Sequence, residues 1–269
     1  MSGIDRKTFE RFRDLIYEKS GIALGSKKEA LLTARISKRM RALQIEDYKS
    51  YLDYVLNDAT GNEVVQLLDA ISTNVTSFFR EADHFDFMTE ILQKRVNEGQ
   101  RKFRFWSAAS STGEEPYTIV MTFSEVIDPS LCDVRLLATD ISTRVLEKAM
   151  RGEYDEEKVQ TIPTALLHKY FDRIHTPSGT VYRVRQELKR LIAFRRLNLS
   201  VTPFPMRGPF DMVFCRNVMI YFDNDVRRKL LNEIYRLLKP GGYLMVGHAE
   251  SLTGMMSEFK TVRPSIYVK

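Results

Sequence analysis

Cysteine and histidine are scarce in this chain of 269 residues, and neither is clustered. The two cysteines, Cys132 and Cys215, lie far apart and in no metal-binding spacing, which points to reduced thiols packed as small apolar residues. The four histidines, His84, His168, His175 and His248, never stand three or four residues apart in sequence, so no metal site is expected. Long apolar runs are missing as well. The stretch from Phe210 to Phe222 is interrupted by Arg216 and Asn217, short of the roughly 18 apolar residues that cross a bilayer. The opening MSGIDRKTFERF is charged and amphipathic and lacks the apolar core of a secretory signal. A cytoplasmic protein with no membrane insertion is therefore expected.

What remains is the composition of a globular protein, 43% hydrophobic and 28% charged, with room for one large domain and a small one. The formal charge of +6 and pI near 9.2 call for an acidic partner. They do not choose between nucleic acid, a membrane surface and an acidic protein.

The first 75 residues read as helices, the next stretch, 76–99, as a linker, and 100–269 as an α/β domain. Phe9, Phe12, Leu15 and Ile16 recur at helical spacing until Gly21 and Gly25 break the pattern. Ser26 is placed to cap a second helix reaching Leu43, with Leu32, Ile36, Met40 and Leu43 on one face. Lys27, Lys28, Arg35, Lys38, Arg39 and Arg41 fill the rest of the wheel. From Ser26 to Leu43 six basic residues meet one acidic, Glu29, a local charge of +5, whereas residues 1–75 as a whole carry only +1. Two more helices are expected near Tyr48–Leu56 and Glu63–Ser72.

Beyond residue 100 strands alternate with helices: Lys102–Ser107, Glu115–Val126, Val134–Thr139, Thr143–Met150, Phe210–Cys215 and a helix capped by Asp223. Lys239-Pro240-Gly241-Gly242 stops that helix before a strand at Tyr243–Gly247, and the tail Phe259–Val268 reads as two short strands around Arg263-Pro264-Ser265. This alternation predicts a doubly wound α/β sheet. Residues 170–196 break the rhythm. The turn Thr176-Pro177-Ser178-Gly179, the β-rich Val181–Val184 and a second β-rich run at Leu191–Phe194 predict a small antiparallel hairpin inserted at about 170–190.

In such sheets ligands bind beyond the carboxyl ends of the strands. After the first strand comes Ser107-Ala108-Ala109-Ser110-Ser111-Thr112-Gly113-Glu114-Glu115, small residues leading into a helix. One glycine is too few for a dinucleotide fingerprint, and no Gly-Lys-Ser/Thr follows to make a phosphate loop. Two carboxylates at the helix mouth repel phosphate and suit a cationic ligand such as the sulfonium of S-adenosylmethionine. They equally complement the helix dipole. Asp140, at the end of the second strand, reads either as acceptor for a ribose diol or as a helix N-cap. Leu238-Lys239-Pro240-Gly241-Gly242 resembles a turn widespread in class I methyltransferases.

Four blocks carry a more specific likeness. Asn74-Val75-Thr76-Ser77-Phe78-Phe79-Arg80-Glu81, Ser111-Thr112-Gly113-Glu114-Glu115-Pro116-Tyr117, Ala138-Thr139-Asp140-Ile141 and Phe214-Cys215-Arg216-Asn217-Val218-Met219-Ile220-Tyr221-Phe222 resemble, in order and spacing, the signature blocks of the chemotaxis receptor methyltransferases, the CheR family. The likeness covers nearly the whole chain. It implies a class I S-adenosylmethionine-dependent methyltransferase sheet with a small antiparallel β insertion behind an all-α domain. The activity implied is esterification of receptor glutamate side chains, with S-adenosylhomocysteine as product. The resemblance places cofactor contacts at Asn74, Thr76, Arg80, Glu115 and Asp140, the last on the ribose. Asn198 and Leu199 go by the adenine, with Arg216 and Asn217 closing the pocket. Arg80 and Tyr221 fall near the transferred methyl. It also implies that the basic helix 26–43 meets the helical bundle of a receptor, and that the hairpin docks receptor elements, in some members a C-terminal peptide added as a strand. A monomer is expected. One departure is Ala109-Ser110, where many members have Gly-Cys. Two other readings stay open: a methyltransferase acting on nucleic acid, whose Asn/Asp-Pro-Pro-Tyr/Phe motif is replaced here by Arg216-Asn217-Val218-Met219-Ile220-Tyr221, and a module that binds the cofactor and signals by docking.

Overall fold

A computed structural model describes residues 4–25, 29–72, 74–177, 179–252, 254–255 and 258–269. The first four helices are α1 (Arg6–Ser20), α2 (Glu29–Leu43), α3 (Tyr48–Asn57) and α4 (Asn62–Ile71). Asp5 caps α1 by accepting from Thr8 N, and Gly21, at φ 71, ends it with its N–H on Tyr17 O. The capping role expected of Ser26, with Lys27 and Lys28, lies outside the described residues. Phe9, Phe12 and Ile16 of α1 meet Leu32, Ile36 and Met40 of α2, Tyr51 and Leu52 of α3, and Leu67 and Leu68 of α4 in one apolar core. Each such side chain contributes roughly 1.5–3 kcal/mol on burial.

The basic stripe on α2 is not uniformly solvated. Arg39 grips Glu63 with both ends of its fork, Nε–Oε1 at 2.8 Å and Nη2–Oε2 at 2.6 Å, and Tyr51 donates to the same carboxylate at 2.8 Å. Arg35 caps the carboxyl end of α4 through Ile71 O and Ser72 O. Lys38 and Arg41 are exposed.

The segment 76–99, expected as a linker, holds helix α5 (Asp83–Asn97), whose Phe85, Met88 and Leu92 belong to the core of the α/β domain. Next in order come β1 (Lys102–Ala108), α6 (Glu114–Val126), β2 (Asp133–Asp140), α7 (Thr143–Arg151), β3 (Glu153–Asp155), α8 (Glu156–Val159), α9 (Thr164–Tyr170), β4 (Phe171–Thr176), β5 (Gly179–Val184), α10 (Gln186–Lys189), β6 (Ile192–Arg196), β7 (Phe210–Cys215), α11 (Asn224–Leu237), β8 (Leu238–Val246), β9 (Lys260–Arg263) and β10 (Ile266–Val268). The main sheet has seven strands in the order β6-β2-β1-β7-β8-β10-β9. Strands β6 to β8 in that order run parallel, and β10 is antiparallel to β8. Strand order reverses between β1 and β7, which opens a crevice at their carboxyl ends.

Alternation along the strands splits the interior in two. Phe103 and Phe105 of β1 with Met212 and Phe214 of β7 face α5 and α6. Trp106, Ala108, Val213 and Cys215 face α11, where Leu230, Leu231 and Ile234 are fully buried. Asp223 caps α11 as expected, accepting from Asp225 N and Val226 N. Lys239-Pro240-Gly241-Gly242 does not precede the next strand but lies inside β8, where a register shift opposite Phe210–Met212 absorbs it. A Cβ on Gly242 would stand 2.9 Å from Lys239 O and 3.1 Å from Phe210 O, so the bulge needs glycine there.

The insertion is a three-stranded antiparallel sheet, β3-β5-β4. Its hairpin pairs Phe171–Thr176 with Gly179–Val184, though Ser178 of the expected turn lies outside the described residues. The run Leu191–Phe194 is no part of it. Those residues enter β6, the parallel edge strand beside β2, because Ile192 and Phe194 bury against the main core.

Candidate functional site

At the crevice lies a cavity of about 310 Å³. It falls at the lower end of the range for small-molecule sites. All the residues expected at a site line it: Asn74, Thr76, Arg80, Glu115, Asp140, Asn198, Leu199, Arg216, Asn217 and Tyr221. They arrive from five separate segments, so the fold brings them together rather than their spacing in sequence.

The backbone around the cavity is strained. Of the seven non-glycine residues with positive φ among those described, Ala109 (φ 65), Ser111 (49) and Asn217 (57) line the cavity, and Phe79 (53) and Glu81 (55) flank its Arg80. Left-handed backbone costs about 1–3 kcal/mol at each such position. The departure from Gly-Cys has a physical consequence here. Ala109 occupies a conformation that glycine adopts freely, and the Oγ of buried Ser110 has no hydrogen-bond partner among the described residues.

Asp140 is 7% exposed. Its Oδ2 accepts from Ser111 N and its Oδ1 from Ser142 N, both at 2.9 Å. Burial raises its carboxyl above the usual aspartate range despite those two bonds. It is not the N-cap of α7, for Ser142 holds that place through Val145 N. Each carboxylate oxygen keeps a second lone pair. The two glutamates at the mouth of α6 part company. Glu115 faces the cavity, accepting from Ser107 Oγ at 2.7 Å, whereas Glu114 is fully buried against Thr112 and Lys158. Burial raises the carboxyls of both.

Arg216 is the electrostatic hub. Its guanidinium meets Glu81 Oε2 at 3.1 Å and Glu115 Oε2 at 3.4 Å, donates to Arg80 O, and sits 5.4 Å from the centre of the Phe85 ring. Burial would raise Glu81, yet Arg216, Asn217 and His248 together hold its carboxyl below the usual range. Arg80 closes its own loop by donating from Nη1 to Val75 O at 2.9 Å. Asn198 donates to Lys19 O at 2.8 Å and accepts from Ser200 N and Oγ.

Sequence reasoning missed one whole wall. Ser20, Ile22, Leu24, Ile71 and Ser72 of the helical region line the cavity too. Ile22 forms an antiparallel bridge with Phe222, and Ala23 N donates to Tyr221 O at 2.8 Å. It also missed Glu81, the last residue of a recognised block, and Glu250, whose signal was a carboxylate soon after the apolar run of β8. Glu81, His84 and His248 form a cluster whose potential ligand atoms lie within 4.8 Å of one another. Ser265 Oγ donates to Pro264 O, so His84 Nε2, 2.8 Å from that Oγ, carries the proton. Burial and Arg216 push His84 down to about 4, leaving it neutral. Glu81 already accepts twice on each oxygen, from Arg216, Asn217 and His248 N, which leaves it no lone pair for a cation.

Residues 7–72 match the family described as "CheR methyltransferase, all-alpha domain", and residues 74–268 match "CheR methyltransferase, SAM binding domain". The chain is similar to the chemotaxis protein methyltransferase of Salmonella typhimurium, 38% identical over 259 residues that span 96% of this chain and 88% of that one. The Escherichia coli protein of the same name is 38% identical over 259 residues, 96% and 89% of the two chains. That of Borreliella burgdorferi is 36% identical over 274 residues, 99% and 95%.

Proposed function

This chain belongs to the CheR methyltransferase family and uses S-adenosylmethionine, and from that premise we propose that it esterifies glutamate side chains of chemotaxis receptors. The observation that carries the reading is the convergence of ten residues from five segments on one cavity. The lining suits the donor. Asp140 offers unclaimed lone pairs to a ribose diol, Ile141, Leu197, Leu199 and Phe222 offer apolar surface to an adenine, and Glu115 would accept from the ammonium of the methionine moiety. Asn74, Thr76, Asn198 and Asn217 complete the polar contacts.

S-adenosylmethionine supplies an electrophilic methyl group on a sulfonium. A glutamate side chain, with pKa near 4.3, is ionised at neutral pH and needs no general base. The protein's task is alignment. Arg80, its Nη1 steadied by Val75 O, holds the incoming carboxylate, and Tyr221 places its hydroxyl beside the path of the methyl. The exposed Lys38 and Arg41 of α2 steer a glutamate-rich helical bundle toward the site. Strand β4 is an edge of the small sheet, which supports its use in adding a receptor peptide as a further strand. No described helix is long and apolar enough to cross a membrane. A monomer working from the cytoplasm on receptor tails fits these features.

The test is transfer of labelled methyl from S-adenosylmethionine to receptor-containing membranes. Label should leave as methanol in mild base, since esters hydrolyse and N-methyl groups do not. Tyr221→Phe should keep affinity for S-adenosylhomocysteine and lose turnover, while Arg80→Ala should lose both. Base-stable label, or label on nucleic acid, refutes the assignment.

A further inference from the structure

We infer that Glu250 is a positioning residue for methyl transfer: its buried carboxylate sets the loop that carries Asn217 and Tyr221. The inference rests on the proposed role of Tyr221 in the reaction. The loop leaves β7 through Arg216, turns left-handed at Asn217 and ends in one 3-10 turn, Met219–Tyr221. A turn that short cannot satisfy its own N–H groups. Glu250 does so from the loop that follows the neighbouring strand, β8. Its Oε2 accepts from Asn217 N at 2.8 Å and from Gly247 N at 2.7 Å, and its Oε1 accepts from Ile220 N at 3.2 Å.

Both carboxylate oxygens are in use, which separates Glu250 from a mere filler. A glutamine offers one acceptor oxygen and would turn its NH2 toward a backbone N–H. Glu250 is 8% exposed and does not line the cavity, so it acts on the site only through the loop. Burial raises its carboxyl above the usual glutamate range, and the backbone N–H groups that point at it offset only part of that. Gly247 reports how closely the two loops fit. A Cβ there would stand 2.4 Å from Asn217 Nδ2, 2.9 Å from Asn217 N and 2.9 Å from Glu250 Oε2. The ends of β7 and β8 thus form one unit, with Asn217 and Tyr221 on its cavity side. A displacement of about 1 Å at a reacting centre costs on the order of 100-fold in rate.

The experiment is a double-mutant cycle between Glu250→Gln and Tyr221→Phe in the full chain. It measures turnover on receptor membranes, affinity for S-adenosylhomocysteine and melting temperature. Glu250→Gln alone should lower turnover about 10- to 100-fold, more than it lowers affinity. In the Tyr221→Phe background the same change should lower it by less than about threefold, because residues acting as a unit are not additive. Equal losses in both backgrounds, or wild-type turnover in Glu250→Gln, overturn the inference. Wild-type turnover in Tyr221→Phe alone refutes the Tyr221 assignment and the inference with it. Should Glu250→Gln not fold, Gly247→Ala forces Asn217 and the Glu250 carboxylate apart while keeping the carboxylate itself, and the same cycle with Tyr221→Phe decides.

Discussion

Mutating the cations of α2 one class at a time should separate residues that hold the helical domain together from residues that meet a partner. Arg39 belongs to the first class. It makes two short bonds to Glu63, whose side chain is 5% exposed, and Tyr51 adds a third on the same carboxylate. Removing one partner of a buried pair costs about 3–5 kcal/mol. Arg39 is itself 26% exposed, so water replaces part of the loss, and Arg39→Ala should cost about 2–3 kcal/mol. In a chain of this size each kcal/mol lowers the melting temperature by about 2–4 °C, so a drop of roughly 5–10 °C is expected. Arg39→Glu should cost more, because it sets two carboxylates face to face.

Lys38 and Arg41 belong to the second class. Exposed substitutions stay within about 0.5 kcal/mol, so Lys38→Glu with Arg41→Glu should melt close to the wild type. Its receptor methylation rate should fall severalfold at low salt and approach the wild-type rate near 1 M, where the Debye length shrinks to about 3 Å. Differential scanning fluorimetry and a methyl-transfer assay across a salt series read both effects. A wild-type melt for Arg39→Ala refutes the buried-pair argument. Unchanged methylation by the double reversal at every salt concentration refutes docking by this face.

Asp140→Asn should weaken S-adenosylhomocysteine binding about tenfold by calorimetry, since a charged acceptor is worth roughly 1.5–3 kcal/mol. Because burial raises the Asp140 carboxyl, wild-type affinity should weaken as pH falls through that raised value, and the Asn variant should lack this limb. Gly21→Ala should destabilise by more than about 1 kcal/mol in a thermal melt, because φ is 71 and the new Cβ would lie 2.5 Å from Ser200 Cβ. Arg216→Met should cost about 3–5 kcal/mol at neutral pH. Glu81 is held low in the folded chain, so its contribution is present above the ordinary carboxylate range and lost as pH falls through its lowered value. In Arg216→Met burial acts on Glu81 with less opposition, so that acid loss should shrink and the gap to the wild type should narrow toward pH 4, as read by melts from pH 7 to 4.

Much of this architecture is legible in the residues, and the exceptions have physical causes. The apolar run Met212–Cys215 of β7 is a strong signal because both faces of that strand are buried, and the helical spacing of α11 is one because a single face is. Leu191–Phe194 misled because a β-rich run does not say which sheet it joins. That depends on β2 offering an open edge. Lys239–Gly242 misled because a bulge and a turn demand the same glycines. Eight of the ten cavity residues lie in the family blocks, Asn198 and Leu199 followed from the resemblance as a whole, and residue chemistry alone left Asp140 divided between a ligand contact and a cap. Glu114 and Glu115 are neighbours in one motif, yet the helix turns them about 100° apart, so one lines the cavity and the other is buried. Contacts made by backbone atoms, such as Ala23 N to Tyr221 O, carry no sequence signal at all.

Those backbone contacts change what the helical domain is for. Three links join the end of α1 to the α/β region: Tyr17 to Asp223, Asn198 Nδ2 to Lys19 O at 2.8 Å, and the Ile22–Phe222 bridge with its bond from Ala23 N to Tyr221 O at 2.8 Å. All three end on the two loops that carry Asn198 and Tyr221 to the cavity, or on the residue that caps α11 just beyond. An appended docking module would leave those loops indifferent to its presence. Here the end of α1 supplies Ser20, Ile22 and Leu24 as cavity wall and fixes the backbone of Tyr221 from one side, while Glu250 fixes the same loop from the other. Loops held from two sides keep a strained conformation such as that of Asn217 without relaxing. Rigid loops in turn are what an alignment-limited methyl transfer requires. The small all-α domain is thus part of the pocket, and α2 with its basic face packs in one apolar core with α1 and α4, whose ends wall the cavity.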